Sequence, residues 1–210
     1  MCYGGVRGKV ARTSLKELAQ VAEGVACCER CPLYIGATQA VVGEGPAPAA
    51  IMLVGEQPGD QEDRAGRPFV GPAGRLLDRA LKESDLDWSN VFVTNVVKHF
   101  KHEQRGKRRI HKQPSRYEVR RCRWWLDREI AIVRPKLVVA LGTTAAREIA
   151  GRPITISRER GRLIRLDDGR NALATVHPAA ILRIREETSR NDAYIAFVGD
   201  LKRAKRLVMS

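Results

Sequence analysis

Three short apolar runs constrain the fold most: "AIMLVGE" at 50–56, "NVFVTNVV" at 90–97 and "KLVVALG" at 136–142. Each has the length of a strand and is apolar on both faces, a pattern that suits strands covered by helices on either side. Helical periodicity fills the intervals. "PAGRLLDRALKES" follows the first run, "PSRYEVRRCRWWLDREIAIVRP" lies between Pro114 and Pro135, and "TTAAREIAG" follows the third. This alternation of strand and helix predicts an α/β fold with a mainly parallel sheet. "RGRLIRL-DDG-RNALATV" reads as two strands around a turn, and "NDAYIAFVGDLKRAKRL" as a closing helix. Near the N-terminus, "SLKELAQVAEG" has one apolar face, with Ser14 as a candidate cap and Gly24 beyond its end.

A chain of 210 residues is expected to bury one core and form a single domain over 1–210, with 1–13 as a tail. No internal repeat interrupts it. The first residues lack a signal-type apolar stretch, and no run of about 18 apolar residues occurs, so no membrane partner is expected. Cys2, Cys27, Cys28, Cys31 and Cys122 are odd in number, which argues against a disulfide framework and for a cytoplasmic location.

Lys and Arg outnumber Asp and Glu, 38 to 24, a formal charge of +14. Lys98, Lys101, Arg105, Lys107, Arg108, Arg109, Lys112, Arg116, Arg120, Arg121 and Arg123 lie close together in sequence. Such clustering is expected of a phosphate-binding face, in a stretch around "GKRRIHKQPS" that otherwise reads as a loop. A histidine among cations, His111, is by itself most simply a member of that face.

Cys28-x2-Cys31 has metal-ligand spacing, because two thiolates so placed can turn onto one centre. Zinc is one reading and a redox dithiol a weaker one. Cys122, His99 and His102 are the remaining strong donor candidates. After the first strand, "VGEQPGDQEDRAGRPFVGPAG" is rich in the Gly and Pro of tight turns, and matches neither a Walker loop nor a dinucleotide fingerprint. It contributes Glu56, Gln57, Asp60 and Asp63, with Phe69 available to stack on a planar ring; any one of these acids alone is an ordinary turn former. Ligands of parallel sheets bind beyond the strands' carboxyl ends. "GEQPGD", Asn95 with its basic loop, and "VHP" at 176–178 should therefore meet in one pocket.

The run "GEQPGDQEDRAGRPFVGPAGRLLDRAL", with "CERCPLY" before it and "TNVVKHF", "CRWWL", "LGTTAA" and "VHPAAILR" after it, resembles the iron–sulfur uracil-DNA glycosylases over nearly the whole chain. "KRRIHK" and "GEQPGD" resemble the UdgX type among them, whose members bind uracil-DNA covalently. The resemblance implies a three-layer α/β/α sandwich around a short, mainly parallel sheet. It also implies a [4Fe–4S] cluster on Cys28, Cys31 and Cys122, with His99 as fourth ligand and His102 second to it. Cys2 and Cys27 have no counterpart in the pattern.

It further implies that Phe69 stacks on a flipped uracil, that Asn95, aided by Gln57, reads its polar edge, and that His177 donates to uracil O2 as the glycosidic bond breaks. Residues 179–185, Arg183 included, would meet DNA with an apolar wedge and phosphate-binding arginines, joined by Lys107, Arg108, Arg109 and Lys112. His111 would capture C1′ of the sugar. Gln57 cannot serve as a base, because a carboxamide is not one at neutral pH, whereas Glu56 remains able to activate water or to orient His111. Arg109 and Lys112 should oppose imidazolium formation at His111. Expected partners are uracil-containing DNA, preferably single-stranded, and free uracil, with the protein a monomer. The rival readings are a hydrolytic iron–sulfur glycosylase with turnover and a non-catalytic DNA-binding iron–sulfur module.

Overall fold

The structure, a computed structural model, describes the backbone of residues 4–209 and side chains from residue 14; Cys2 lies outside the described residues. The three apolar runs form β1 (Ile51–Gly55), β2 (Val91–Asn95) and β5 (Leu137–Leu141). With β6 (Leu163–Arg165) and β7 (Asn171–Thr175) they make one sheet of order β2-β1-β5-β7-β6. All neighbours in it are parallel except β6 with β7.

Strand alternation divides the core between two layers. Met52, Val54, Val138 and Ala140 face one cluster, built with α1 (Gly4–Ala26), α5 (Arg116–Val133) and α6 (Thr143–Ala150). Ile51, Leu53, Val139 and Leu173 face the other, built with α4 (Pro72–Glu83), α8 (Pro178–Leu182) and α9 (Glu187–Met209). The fold is a three-layer α/β/α sandwich around a mainly parallel sheet, as the sequence leads one to expect. α1 begins at Gly4, within the stretch 1–13 expected as a tail. The short helices α2 (Leu33–Gly36), α3 (Asp60–Ala65), α7 (Ile156–Glu159) and α8 had no clear periodic signal.

The basic stretch is not a loop. It folds into a hairpin, β3 (His102–Arg105) with β4 (Arg108–His111), and pairs His102 with His111. Gly106 makes the turn at φ +56°, a left-handed conformation that glycine adopts without a Cβ penalty. Ser115 then starts α5 through a reciprocal capping box with Glu118, and the Glu118 carboxylate also takes Lys101 Nζ at 2.8 Å.

The expected phosphate face is correspondingly smaller than its sequence footprint. Lys98 is fully buried against Glu129. Lys101 pairs with Glu118, Arg105 and Lys112 with Glu103, Arg109 with Asp60 and Asp63, and Arg123 with Asp127. Lys107, Arg108, Arg116, Arg120 and Arg121 form no ion pair among the described residues. Ion pairing inside the fold, unreadable from spacing, accounts for the difference.

Lys98 Nζ lies 2.7 Å from Glu129 Oε2 and donates to Thr94 Oγ1 and to the Asn95 carbonyl. Glu129 in turn accepts from Thr94 Oγ1 and from the Gly43 amide. Both charges are therefore satisfied, the condition under which a buried pair is tolerated. Removing one partner strands the other. Lys98→Met should lower unfolding free energy by about 3–5 kcal/mol, read from urea denaturation, and Lys98→Met combined with Glu129→Leu should recover much of that deficit.

Candidate active site

Four carboxyl-end segments of the parallel strands converge on one cleft of about 900 Å³. Glu56 and Gln57 leave β1, Asn95 ends β2, Thr144 follows β5, and His177 follows β7. Asp60, Phe69, His111 and Arg183, also named from the sequence, line it too, whereas Asp63 does not. Lys107, Arg108, Arg109 and Lys112 are not part of its wall.

Asn95 and Phe69 meet over Gly55. A Cβ there would fall 2.3 Å from Asn95 Oδ1 and 2.9 Å from Phe69 Cζ, so only glycine lets both groups sit at the end of β1. Phe69 itself has φ +54°, a costly conformation for an aromatic residue. It is held by the close approach of α4, where a Cβ on Gly74 would lie 1.7 Å from the Phe69 carbonyl oxygen. The Asn95 carboxamide is nearly buried yet has no protein hydrogen-bond partner among the described residues, which leaves its donor and acceptor for something in the cleft. The rings of Phe69 and His177 are 6.1 Å apart, centre to centre.

His177 caps α8. Its Nδ1 accepts the Ala179 amide at 3.1 Å, so in the neutral ring the proton resides on Nε2, which becomes a donor. Burial, reinforced by the positive charge of Arg183 and by His111, lowers its pKa to about 4. The neutral donor is thus the form present at physiological pH.

His111 stands at the end of β4 with about half its side chain exposed. Gln57 fixes its tautomer. The Lys101 amide donates to Gln57 Oε1 at 3.1 Å, which makes Nε2 the donor end of the carboxamide, and that nitrogen lies 2.9 Å from His111 Nε2. The same carboxamide nitrogen lies 3.0 Å from the Lys112 carbonyl and 3.3 Å from the Lys101 carbonyl, so its two N–H groups are shared among three acceptors and tie both strand ends of the hairpin to the loop after β1. His111 Nε2 is therefore the unprotonated, lone-pair nitrogen. Glu56 Oε1 lies 3.8 Å from it, while Glu56 Oε2 accepts from Thr144 Oγ1.

The pKa of His111 is lowered, chiefly by desolvation; Glu56 opposes this and Arg183 adds to it. The cations expected to act here, Arg109 and Lys112, are engaged elsewhere. Arg109 runs inward to Asp60 at 2.5 Å, to Asp63 at 2.6 Å and to Thr38 Oγ1 at 2.9 Å, and its side chain is 11% exposed. It braces the hairpin against α3. Its expected place on phosphate gives way to that role, because two carboxylates hold it beneath the surface.

Cys31 and Cys122 are buried, Cys28 is half-buried and Cys27 is exposed. Desolvation raises the Cys122 thiol to about 11, with Cys31 and Cys28 near enough to add to the rise. Trp125 Nε1 donates to Cys28 Sγ at 3.1 Å and the Lys98 amide to Cys122 Sγ at 3.2 Å. Among the described residues no three His, Cys, Asp or Glu side chains are arranged to hold a single metal ion. His99 is buried with its pKa lowered by desolvation, which a favourable interaction with Asp63 opposes. His102 stacks on Phe100 at 5.1 Å, and its Nδ1 is buried with no partner among the described residues.

Residues 42–202 match the family model described as the uracil DNA glycosylase superfamily. The chain belongs to that superfamily. It is 36% identical over 198 residues to a type-4 uracil-DNA glycosylase of Thermotoga maritima, covering 94% of this chain and 96% of that protein. A type-4 uracil-DNA glycosylase of Pyrobaculum aerophilum is 37% identical over 177 residues, 80% of this chain and 85% of its own length. One of Sulfurisphaera tokodaii is 41% identical over 136 residues, 64% and 59% of the two chains. The superfamily match takes in Glu56, Phe69, Asn95, His111, Cys122, His177 and Arg183, but starts after Cys28 and Cys31.

Two contributors to this superfamily site escaped the sequence. Thr144, which holds Glu56, and Arg109 in its bracing role act through contacts 88 and 46–49 residues apart along the chain, with no local signal. Asp60 and Asp63 looked like turn formers and are instead the anchors of Arg109.

His177 yields a pH dependence whose sign is fixed. Its folded pKa, about 4, lies below the ordinary 6.5, so between those values the unfolded chain takes up a proton that the folded chain refuses. The stability due to neutral His177 should be complete above pH 6.5 and be lost as pH falls toward 4. His177→Gln should flatten that part of the stability profile, and nitrogen NMR should find the Nε2–H tautomer at pH 5.

Proposed function

We propose that the protein is a uracil-DNA glycosylase of UdgX type, which flips uracil from DNA, cleaves its N-glycosidic bond and retains the abasic strand on His111. The observation that carries this reading is the lone-pair nitrogen of His111 at the cleft, unprotonated and oriented by Gln57. Asn95, with both functions of its amide free, suits the donor and acceptor of a pyrimidine edge. Phe69 offers a face for stacking beside it.

The electrons balance without a further reactant. As the C1′–N1 bond breaks, its pair leaves with uracil, and His177 Nε2–H, donating to O2, stabilises the developing anion. His111 Nε2 gives its lone pair to C1′, and the ring becomes a cation still protonated at Nδ1. That cation forms 3.8 Å from Glu56, as measured in the free protein. Transfer of the Nδ1 proton to solvent then leaves a neutral N-alkyl imidazole, and the uracil anion takes a proton from solvent in turn. The 2.9 Å bond from Gln57 must open for the sugar to approach, which makes Gln57 the group that presents the nucleophile and then yields it.

A second reading has its own support. Glu56 is a carboxylate in the same cleft, and it could activate water so that the abasic strand is released with turnover. Phosphate contacts of His111 would then be its whole role.

The cysteines support a [4Fe–4S] cluster on Cys28, Cys31 and Cys122. Hydrogen bonds onto two of the three sulfurs suit thiolates bound to a cluster, which would supply a fixed structural and electronic centre, and buried thiols gain a reason to ionise. Ligands of a multi-iron cluster sit at separate corners, farther apart than ligands of one ion. His99 is our choice for the fourth ligand; the unpartnered Nδ1 of His102 favours that residue as the alternative.

Two experiments test these proposals. Incubated with single-stranded DNA carrying one uracil, the protein should shift on a denaturing gel to a slower band that survives heat and detergent, while thymine DNA gives none. His111→Ala should abolish the band. The rate of band formation should climb with pH through a midpoint below 6.5 and then stay flat, since only neutral His111 attacks. A heat-stable band from His111→Ala would place the nucleophile on another residue and leave His111 a phosphate contact, whereas multiple turnover by the unmodified protein would return the enzyme to the hydrolytic reading. For the cluster, isolated protein should contain iron and sulfide in equal amounts, and His99→Ala should lose both more readily than His102→Ala; zinc in a colourless, active protein would refute it.

A further inference from the structure

Glu56 faces the lone-pair nitrogen of His111, yet one group alone holds it there. Among the described residues the Thr144 hydroxyl is the single hydrogen-bond donor to the Glu56 carboxylate. It donates to Oε2, which leaves Oε1 turned to His111 Nε2 at 3.8 Å. A glutamate side chain at a strand end has several rotatable bonds, so without that donor the carboxylate would be free to sweep the cleft or turn to solvent.

The place of Thr144 is itself built. Gly142, at φ +91°, turns the chain from β5 into α6, and a Cβ there would lie 3.1 Å from His177 Cβ, so α6 starts close against His177. Thr144, in the first turn of α6, thereby reaches the wall of the cleft. Its hydroxyl has one proton. A carboxylate only accepts, so that proton goes to Glu56, and Gln113 Nε2, 3.3 Å away, donates to the hydroxyl oxygen in turn. Gln113 follows His111 on the exit from the hairpin. A chain of donors therefore runs from the segment that carries His111, through α6, to the carboxylate that faces His111.

We propose that Thr144 is a positioning residue for uracil excision: its hydroxyl, aimed by Gln113, holds Glu56 with Oε1 beside the place where positive charge develops as the C1′–N1 bond breaks. The inference rests on the reading of the cleft as a uracil-excising site, and adds to it the group that sets the geometry of the acid. Electrostatic stabilisation depends on preorganisation, because a carboxylate that must first be turned into place loses part of its attraction in the turning. Thr144 touches neither base nor sugar and acts through Glu56. It acts whichever fate the abasic strand meets, since the same carboxylate faces the alkylated imidazole or the attacking water.

Single-turnover uracil release reads the effect on both fates. With protein in excess over single-stranded DNA carrying one uracil, the dependence of rate on protein concentration gives a plateau rate and a half-saturating concentration. Thr144→Val removes the hydroxyl and keeps the shape. It should lower the plateau rate by about tenfold, the worth of one hydrogen bond to a charged group, and leave the half-saturating concentration unchanged. Thr144→Ser should restore most of the rate. In a Glu56→Ala background Thr144→Val should slow release little further, because the group it acts through is gone. Gln113→Leu should give a smaller loss of the same kind, and none in a Thr144→Val background. A Thr144→Val protein as fast as the unmodified one, a Thr144→Ser protein as slow as Thr144→Val, or full additivity with Glu56→Ala would overturn the proposal. A Gln113→Leu protein at full rate would overturn the part assigned to Gln113.

Where Glu56→Ala is too slow to time, a crystal structure of Thr144→Val decides: the Glu56 carboxylate should leave its place beside His111, and an unmoved carboxylate would refute the assignment. Thermal unfolding checks that each variant is folded. Should Thr144→Val fail to fold, Gln113→Leu, a change at an exposed side chain, carries the same comparison with Glu56→Ala. Failure of the unmodified protein to release uracil would refute the glycosylase reading and this inference with it, whereas release at one rate by the unmodified protein and Thr144→Val would refute this inference alone.

Discussion

Lys98 is the residue on which the rest of the architecture turns. Its ammonium is buried with Glu129, a contact that joins the end of β2 to α5, and it also grips the carbonyl of Asn95. Its amide donates to Cys122 Sγ. One residue thus connects the strand end that presents the Asn95 amide to the cleft, the helix that carries a buried thiol, and, through Glu129, the segment at Gly43 that covers the edge of the sheet. An unpaired ammonium at that depth would be prohibitive, so pairing is the condition for the strand end to hold its position. The cost of burying two charges is offset by hydrogen bonds that fix geometry rather than by any large gain in net stability.

A second, smaller device depends on that frame. The hairpin of β3 and β4 is only four residues on each side and would be marginal in isolation. Gln57 joins its two ends, and Arg109 runs from its middle into Asp60 and Asp63. Both anchors belong to the segment after β1, so the loop that forms one wall of the cleft also fixes His111 on the other. A histidine among cations would be free to swing in solvent. Held this way, it keeps one nitrogen unprotonated and turned to the cleft, the geometry on which its proposed role as nucleophile depends.

The sheet and its large helices were legible because burial on two faces demands uninterrupted apolar runs, and β1, β2 and β5 have them. The convergence of Glu56, Asn95 and His177 was legible too, since parallel strands direct their following loops to one edge. The hairpin was not, because its strands are polar on both faces and its only mark is Gly106. Nor was the fate of the cations. Arg108 and Arg109 are adjacent in sequence, yet one faces solvent and the other two carboxylates, a distinction set by strand alternation in a strand that the composition concealed. The direction of the His111 shift followed the expectation from cations only in part: desolvation leads, and the cation that contributes is Arg183, which follows α8.

The two lowered histidines have a joint consequence. His111 figures among the causes that depress His177, so the cleft disfavours holding both as cations at once. On the covalent route, however, His111 gains a positive charge as it is alkylated, and it carries that charge beside Arg183 until Nδ1 gives up its proton. Something must compensate. In the free protein the Glu56 carboxylate lies 3.8 Å from the reacting nitrogen and is oriented through its other oxygen by Thr144. A carboxylate in that place would stabilise the alkylated imidazolium by direct attraction, and on the hydrolytic route the same group would polarise water. The position of Glu56 therefore serves either outcome. What would tilt the balance is whether His111 or a water molecule reaches C1′ first, and the proposed covalent outcome rests on the hold of Gln57 and Arg109 on the hairpin rather than on the acid itself.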